Sequence, residues 1–201
     1  LGIRTNTFRQ MFKFLDRIDG RLNIIETGCA RQKDNWQGDG QSTLLFDKYV
    51  SLRSLPSKLY SVDINQKSID YARSLVGSKA TLTKEDSVKY LNQLTREFEK
   101  TNDTVDLLYL DSFDLDTTYW YPSAAHHLKE LCAAMRILRK DSLVVVDDCP
   151  LTAHFVPGLQ NQIKLIAPPM VGGKGRLVAE YAAAIGATLV FSEYQAGWTN
   201  F

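Results

Sequence analysis

The sequence predicts an α/β protein built on a doubly wound sheet, mostly parallel with an antiparallel C-terminal strand, with helices on both faces. Three observations carry that reading. Short apolar runs such as Leu22–Glu26 (LNIIE), Val105–Leu110 (VDLLYL) and Ser142–Val146 (SLVVV) have the pattern of strands covered on both sides. Between them lie segments of helical period, and such alternation winds a parallel sheet. Each strand run also ends in acid, at Glu26, Asp63, Glu85–Asp86, Asp111 and Asp147–Asp148. Sheets of this kind bind ligands at those strand ends.

Residues 1–20 open with a helix over Thr5–Ile18, whose Phe8, Met11, Leu15 and Ile18 share one face before Gly20 stops it. The first strand, Leu22–Glu26, turns at Gly28. A polar insertion from Arg31 to Gly38 leads into GDGQST and a helix over Ser42–Leu52. Lys58–Asp63 is the second strand, Asn65–Leu75 a helix and Ala80–Thr83 the third strand. Asp86 or Ser87 caps a helix striped with Val88, Leu91, Leu94 and Phe98. The strand Val105–Leu110, the helix Ser123–Leu138 and the strand Ser142–Val146 follow. Regular patterning lapses over 150–173, where Pro157, Pro168 and Pro169 predict a loop of about two dozen residues, either functional, on the substrate side, or disordered. A helix resumes at Lys174, and TLVFSEYQAGW reads as strand, turn and strand.

At 201 residues the chain fits one domain, 1–201. Lys and Arg number 24 against 23 acids, so no global field argues for nucleic acid or a membrane surface as partner. Cys29, Cys132 and Cys149 lack metal or redox spacing and leave one cysteine over in any pairing. No apolar run approaches the roughly 18 residues that span a bilayer, and the start lacks a signal-peptide core. These features predict a cytoplasmic protein, and a start at Leu1 suggests a piece of something longer. Homo-oligomerisation is left open.

Strand, glycine turn and helix start at Glu26, Gly28, Ser42 and Thr43 form a cradle in which backbone amides and a helix N-terminus face a ligand. The G-x-G-x-x-G fingerprint of a pyrophosphate grip is missing. Asp63, at the end of the second strand, has the position that accepts hydrogen bonds from ribose hydroxyls. The loop Glu85, Asp86, Ser87 can take an adenine edge. Ribose and adenine without a phosphate grip point to a nucleoside ligand. Taken singly, each acid is more often a helix cap or a solvated loop residue; it is the five together that point to a site.

The order IIETG, SVDIN, KEDS, VDLLYLD, VVVDD and TLVFSEY resembles the class I S-adenosylmethionine-dependent methyltransferases, whose fold is Rossmann-like. The resemblance implies Glu26 and Gly28 near the methionine part of the cofactor, Asp63 on its ribose, Ile64 against adenine, Asp86 and Ser87 at the adenine edge, and Asp111 beside it. GDGQST resembles the G-G-S-T turn of antibiotic-sugar O-methyltransferases, shifted by an insertion, which implies cofactor contacts for Ser42 and Thr43. In macrocin- and catechol-type O-methyltransferases, acids after the fourth and fifth strands hold magnesium. Asp111, Asp147 and Asp148 stand at the matching positions, and crowded carboxylates repel unless protonated or bridged by a hard cation.

For the base that deprotonates an acceptor, Asp114 occupies the place of the catechol-type lysine and His127 lies on the following helix. Asp116, His126 and His154 compete. His126 and His127 point about 100° apart on a helix, so at most one faces the cleft. Tyr119, Trp120, Tyr121 and the segment 154–170 are expected to line an acceptor pocket. The expected function is metal-assisted O-methylation of a small-molecule or sugar hydroxyl. The alternatives are a nicotinamide-dependent oxidoreductase, or a non-catalytic module of a larger glycan- or natural-product-building system.

Overall fold

A computed structural model describes residues 2–36, 38, 41–157 and 162–201 of the chain. Strands β1 (Leu22–Thr27), β2 (Ser57–Asp63), β3 (Ala80–Lys84), β4 (Val105–Leu110), β5 (Leu138–Val146), β8 (Thr188–Ser192) and β9 (Ala196–Thr199) form one sheet, with β6 (Leu151–Pro157) and β7 (Ile163–Val171) paired apart from it. The helices are α1 (Thr5–Leu15), α2 (Ser42–Leu52), α3 (Gln66–Leu75), α4 (Ser87–Thr101), α5 (Tyr121–Ala134) and α6 (Arg176–Ile185). The large sheet runs β3-β2-β1-β4-β5-β9-β8. Every pairing from β3 to β5 is parallel, whereas β9 runs antiparallel between β5 and β8. The order reverses between β1 and β4, which opens a crevice at their carboxyl ends.

Alternation along the strands decides which helices cover which face. Ile24, Leu59, Leu107, Tyr109 and Val145 pack with Phe8, Met11, Phe46 and Val50 of α1 and α2. Ile25, Val62, Leu108, Val144 and Val146 pack on the other side with Leu91, Leu131 and Val178 of α4, α5 and α6. Rings dock α1: Phe8 and Phe46 lie 6.0 and 5.2 Å from Tyr109 between centroids. That docking delivers Arg4, the residue before α1, to the strand ends. No described helix is long and apolar enough to cross a membrane.

Two expectations change. The helix expected over Ser123–Leu138 ends as α5 at Ala134, and β5 starts at Leu138, before the expected Ser142. The loop expected over 150–173 is a hairpin of β6 and β7. Its prolines are tolerated because a two-stranded ribbon consists only of edges. The register also slips between Thr152 and His154, so the ladder steps from Met170 to Ala167 and leaves Pro168 and Pro169 unmatched.

Candidate functional site

At the end of β1 the chain turns through Gly28 at φ 79°, where a Cβ would stand 2.4 Å from the carbonyl oxygen of Asp111. Only glycine allows β1 and β4 to close so tightly there. Beneath this turn Glu26 is fully buried. Its Oε2 accepts from the Thr43 hydroxyl at 2.7 Å and the Ser61 hydroxyl at 2.6 Å. Burial raises its carboxyl to about 7 against these hydrogen bonds. Thr43 in turn accepts from the Ala30 amide at 2.9 Å. Glu26 and Thr43 therefore brace the turn from below, while Ser42, at the start of α2, reaches the cleft surface.

Asp63 ends β2 with both oxygens engaged by backbone: Oδ1 accepts from the Asn65 amide at 2.7 Å and Oδ2 from the Cys29 amide at 3.2 Å. It borders a cavity of about 320 Å³ shared with Ile64, Asp86, Ser87, Ser112, Phe113 and His126. Ile64 is 71% exposed and lines this cavity. Asp86 caps α4 by accepting from the Lys89 amide at 2.9 Å. His126 enters this cavity with Nε2 2.9 Å from the Ser87 hydroxyl, and its ring lies 5.5 Å from that of Phe113.

A narrow polar cleft of about 30 Å³ continues from Asp63 to Gly28, Cys29, Asp111, Ser112, Asp148 and Arg4. Here the structure corrects the metal assignment. Lys174 Nζ bonds Asp111 and lies 2.9 Å from Asp148 Oδ2. Arg4 donates through Nε to Asp147 Oδ1 and Oδ2 at 2.9 and 2.8 Å, and its terminal amine reaches Asp148 at 2.8 Å. The Tyr109 hydroxyl adds a bond to Asp147 at 2.9 Å. A divalent ion among these oxygens would stand against two fixed cations, so the residues present do not fit one. No grouping of three metal-binding side chains occurs among the described residues.

The charges divide unevenly. Burial first, then Asp147 and Asp148, push the Asp111 carboxyl well above its usual range, with Lys174 opposing. Burial would raise Asp148 too, but Lys174, Tyr194 and Arg4 together hold it low. Burial would lower the Lys174 ammonium, and the two carboxylates outweigh it and keep it charged.

Neither expected base stands at this cleft. His127 is fully buried, with Nδ1 2.7 Å from the Ser123 carbonyl, and burial lowers it to about 4. The helical offset turns His126, not His127, toward the ligand side. Asp114 points to solvent, its side chain 74% exposed, and takes both oxygens to Arg31 at 3.0 Å. Asp116 accepts from the Thr118 and Tyr119 amides at 2.7 and 3.0 Å, a turn-capping role. His154 lies in β6, and its side chain is outside the described residues.

Beyond the cleft a second cavity of about 370 Å³ is lined by Leu115, Thr117, Trp120, Pro150, Thr152, Gly172, Gly173 and Arg176. Of the expected aromatics only Trp120 lines it, and Tyr119 and Tyr121 are largely exposed. Sequence reasoning missed Arg4, Lys174, Leu115 and Arg176. A lysine among three glycines in GGKG was the available signal for Lys174, because it marks a backbone pressed close with one cation to place.

The doubly wound sheet with β9 antiparallel between β5 and β8, a cavity of about 320 Å³ and a carboxylate-lined cleft at the switch point is the architecture that the resemblance to class I S-adenosylmethionine-dependent methyltransferases implies. The family model described as methyltransferase domain matches residues 37–149, more than half of the chain, and the chain belongs to that family. A candidate rRNA-methylase from Clostridium thermocellum aligns over 96% of this chain and 97% of its own at 12% identity, with a TM-score of 0.55, and so shares the fold. The complex of DhpI with SAH aligns over 98% of this chain and 85% of its own at 11% identity, with a TM-score of 0.48. No curated protein matches the chain significantly.

Proposed function

We propose that this methyltransferase transfers a methyl group to the hydroxyl of a small molecule held against Trp120, with no metal ion at the reacting atoms. The observation that supports this reading is the pair of cavities, about 320 and 370 Å³, on either side of the narrow cleft that exposes Asp111. In the first, Asp63 would take the ribose hydroxyls, Ile64 one face of adenine, and Asp86 and Ser87 its edge, and Phe113, which also lines the cavity, would take the other face. Gly28 and Ser42 would border the methionine part. Glu26 and Thr43 hold the turn without touching the ligand. S-Adenosylmethionine, when bound, supplies an electrophilic methyl on a sulfonium.

Asp111 replaces Asp114 and His127 as the candidate base. Its raised pKa moves a carboxylate toward the range in which it can accept a proton from a hydroxyl. As the acceptor oxygen forms its bond to the methyl carbon and the carbon–sulfur bond breaks, the hydroxyl proton goes to Asp111. The products are a methyl ether and S-adenosylhomocysteine. The remaining contribution is alignment of two ligands in one cleft, which itself accelerates transfer. The mostly apolar acceptor cavity, with Trp120 on one wall and Arg176 at its edge, suits a ring carrying polar substituents.

Calorimetric titration with S-adenosylhomocysteine tests the first half. Binding is expected in wild type, and Asp63→Ala should weaken it at least about ten-fold, since two hydrogen bonds to a charged group disappear. A panel of hydroxylated rings with labelled cofactor tests the second half: Asp111→Asn should lose transfer while retaining cofactor affinity. Unchanged turnover in Asp111→Asn would remove it as the base.

A further inference from the structure

The segment Gly172–Gly175 is built to bring one side chain inward. A Cβ at Gly172 would lie 2.0 Å from the Thr152 hydroxyl oxygen, at Gly173 2.2 Å from the Asp148 carbonyl oxygen, and at Gly175 2.4 Å from Cys149 Sγ. Gly173 also sits at φ 53°. Two backbone bonds fasten the turn to the chain after β5: Gly172 N to the Pro150 carbonyl and Lys174 N to the Asp148 carbonyl, both 3.1 Å. Any side chain at the three glycines would lift the turn away. What this close approach achieves is the insertion of Lys174, 1% exposed, between the ends of β4 and β5. A buried lysine is uncommon unless paired, and this one meets two carboxylates.

We propose that Lys174 is the chain's built-in substitute for a divalent cation: its ammonium takes the place between Asp111 and Asp148 in which three strand-end carboxylates would otherwise gather a metal ion. Arg4 completes the arrangement by covering Asp147 and the far side of Asp148. Three carboxylates against two cations leave one negative charge when all are ionised, and Asp111, with 18% of its side chain exposed, is where that charge meets the cleft. Lys174 is too buried to touch an acceptor and acts as a positioning residue, fixing the orientation of Asp111. A rigid ammonium cannot bind the acceptor oxygen directly as a metal would, so deprotonation falls to the carboxylate.

Manganese binding, followed by the paramagnetic resonance signal of the free ion, tests the substitution without cofactor or acceptor. A failure here is thus separable from a failure of the methyl-transfer reading. Wild type is expected to take up no stoichiometric Mn²⁺ at about 1 mM, a concentration that fills weak carboxylate sites. Lys174→Ala and the similarly sized, uncharged Lys174→Met should each gain one Mn²⁺ per chain. Their melting temperatures should rise by about 5 °C on adding the ion. A further Asp111→Asn should abolish the gain. Recovery of fold by either variant only with Mn²⁺ present gives the same support. Uptake of one Mn²⁺ by wild type that is lost in Asp111→Asn overturns the proposal, as do folded Lys174 variants that bind none.

Discussion

Arg4 offers a sharp energetic test of the charge cluster at the strand ends. It is 4% exposed, its Nε lies 2.8 and 2.9 Å from the two oxygens of Asp147, its terminal amine lies 2.8 Å from Asp148, and its guanidinium stacks 4.6 Å from the Tyr194 ring centre. Arg4→Met keeps an apolar stem and deletes the charge. Asp147 is then left at 0% exposure with only the Tyr109 hydroxyl and the Asp148 amide as donors among these contacts. Removing one partner of a buried ion pair costs about 3–5 kcal/mol, most of it from the stranded charge. In a domain of this size that lowers the melting temperature by about 10 °C. Urea unfolding measures the loss, and Arg4→Met combined with Asp147→Asn should cost less than the two single changes added together. The sign with pH also follows. Asp148 is held below its ordinary value, so its contribution is present above the unfolded pKa and is lost as pH falls through the lowered folded one. The gap between wild type and Arg4→Met should therefore narrow below about pH 4. A cost under about 1 kcal/mol, or strict additivity with Asp147→Asn, would refute the account of Arg4 as the neutralising partner.

Two buried groups titrate in opposition. Glu26, raised to about 7, adds stability that is full below its unfolded pKa and is lost as pH rises toward 7. His127, lowered to about 4, adds stability that is full above its unfolded pKa and is lost as pH falls toward 4. Each effect is on the order of 3 kcal/mol, so wild-type stability should stay nearly level between those limits. Glu26→Gln should unmask a loss on acidification, and His127→Gln a loss on alkalinisation; parallel slopes in the two variants would contradict this. Gly28→Ala places a Cβ 2.4 Å from the Asp111 carbonyl oxygen at φ 79° and should cost about 2 kcal/mol or more. The same change should weaken S-adenosylhomocysteine binding, and calorimetry showing wild-type affinity would detach the turn from the cofactor site.

The sheet was legible because its strands are buried on both faces and so lack polar interruptions, as in VDLLYL, and because acids mark where each one stops. Asp63, Ile64, Asp86 and Ser87 converge on one cavity for the same reason. The hairpin was hidden by proline, which reads as a loop until one sees that a ribbon of edges leaves room for it. The cations were hidden by distance in sequence. Arg4 and Lys174 meet Asp147 and Asp148 only because α1 and the GGKG turn both pack at the end of β5. Carboxylate spacing alone cannot distinguish a metal from an ammonium supplied elsewhere in the chain. The choice between His126 and His127 depends on the rotation of α5, which the alternation in AAHHLKEL leaves open.

The β6–β7 ribbon pairs with itself and joins the rest of the chain at Pro150 and Gly172, beside the cavity of about 370 Å³. Its base contributes Thr152 to that wall, while Asp63, Asp86 and His126 sit on other elements. Under the proposed function, exchanging the ribbon between Thr152 and Met170 for one of another length is expected to change the choice of acceptor and to leave S-adenosylhomocysteine binding at Asp63 undisturbed. That makes the ribbon the natural graft point for retooling selectivity, provided that the glycine-flanked lysine just after it is carried along unaltered.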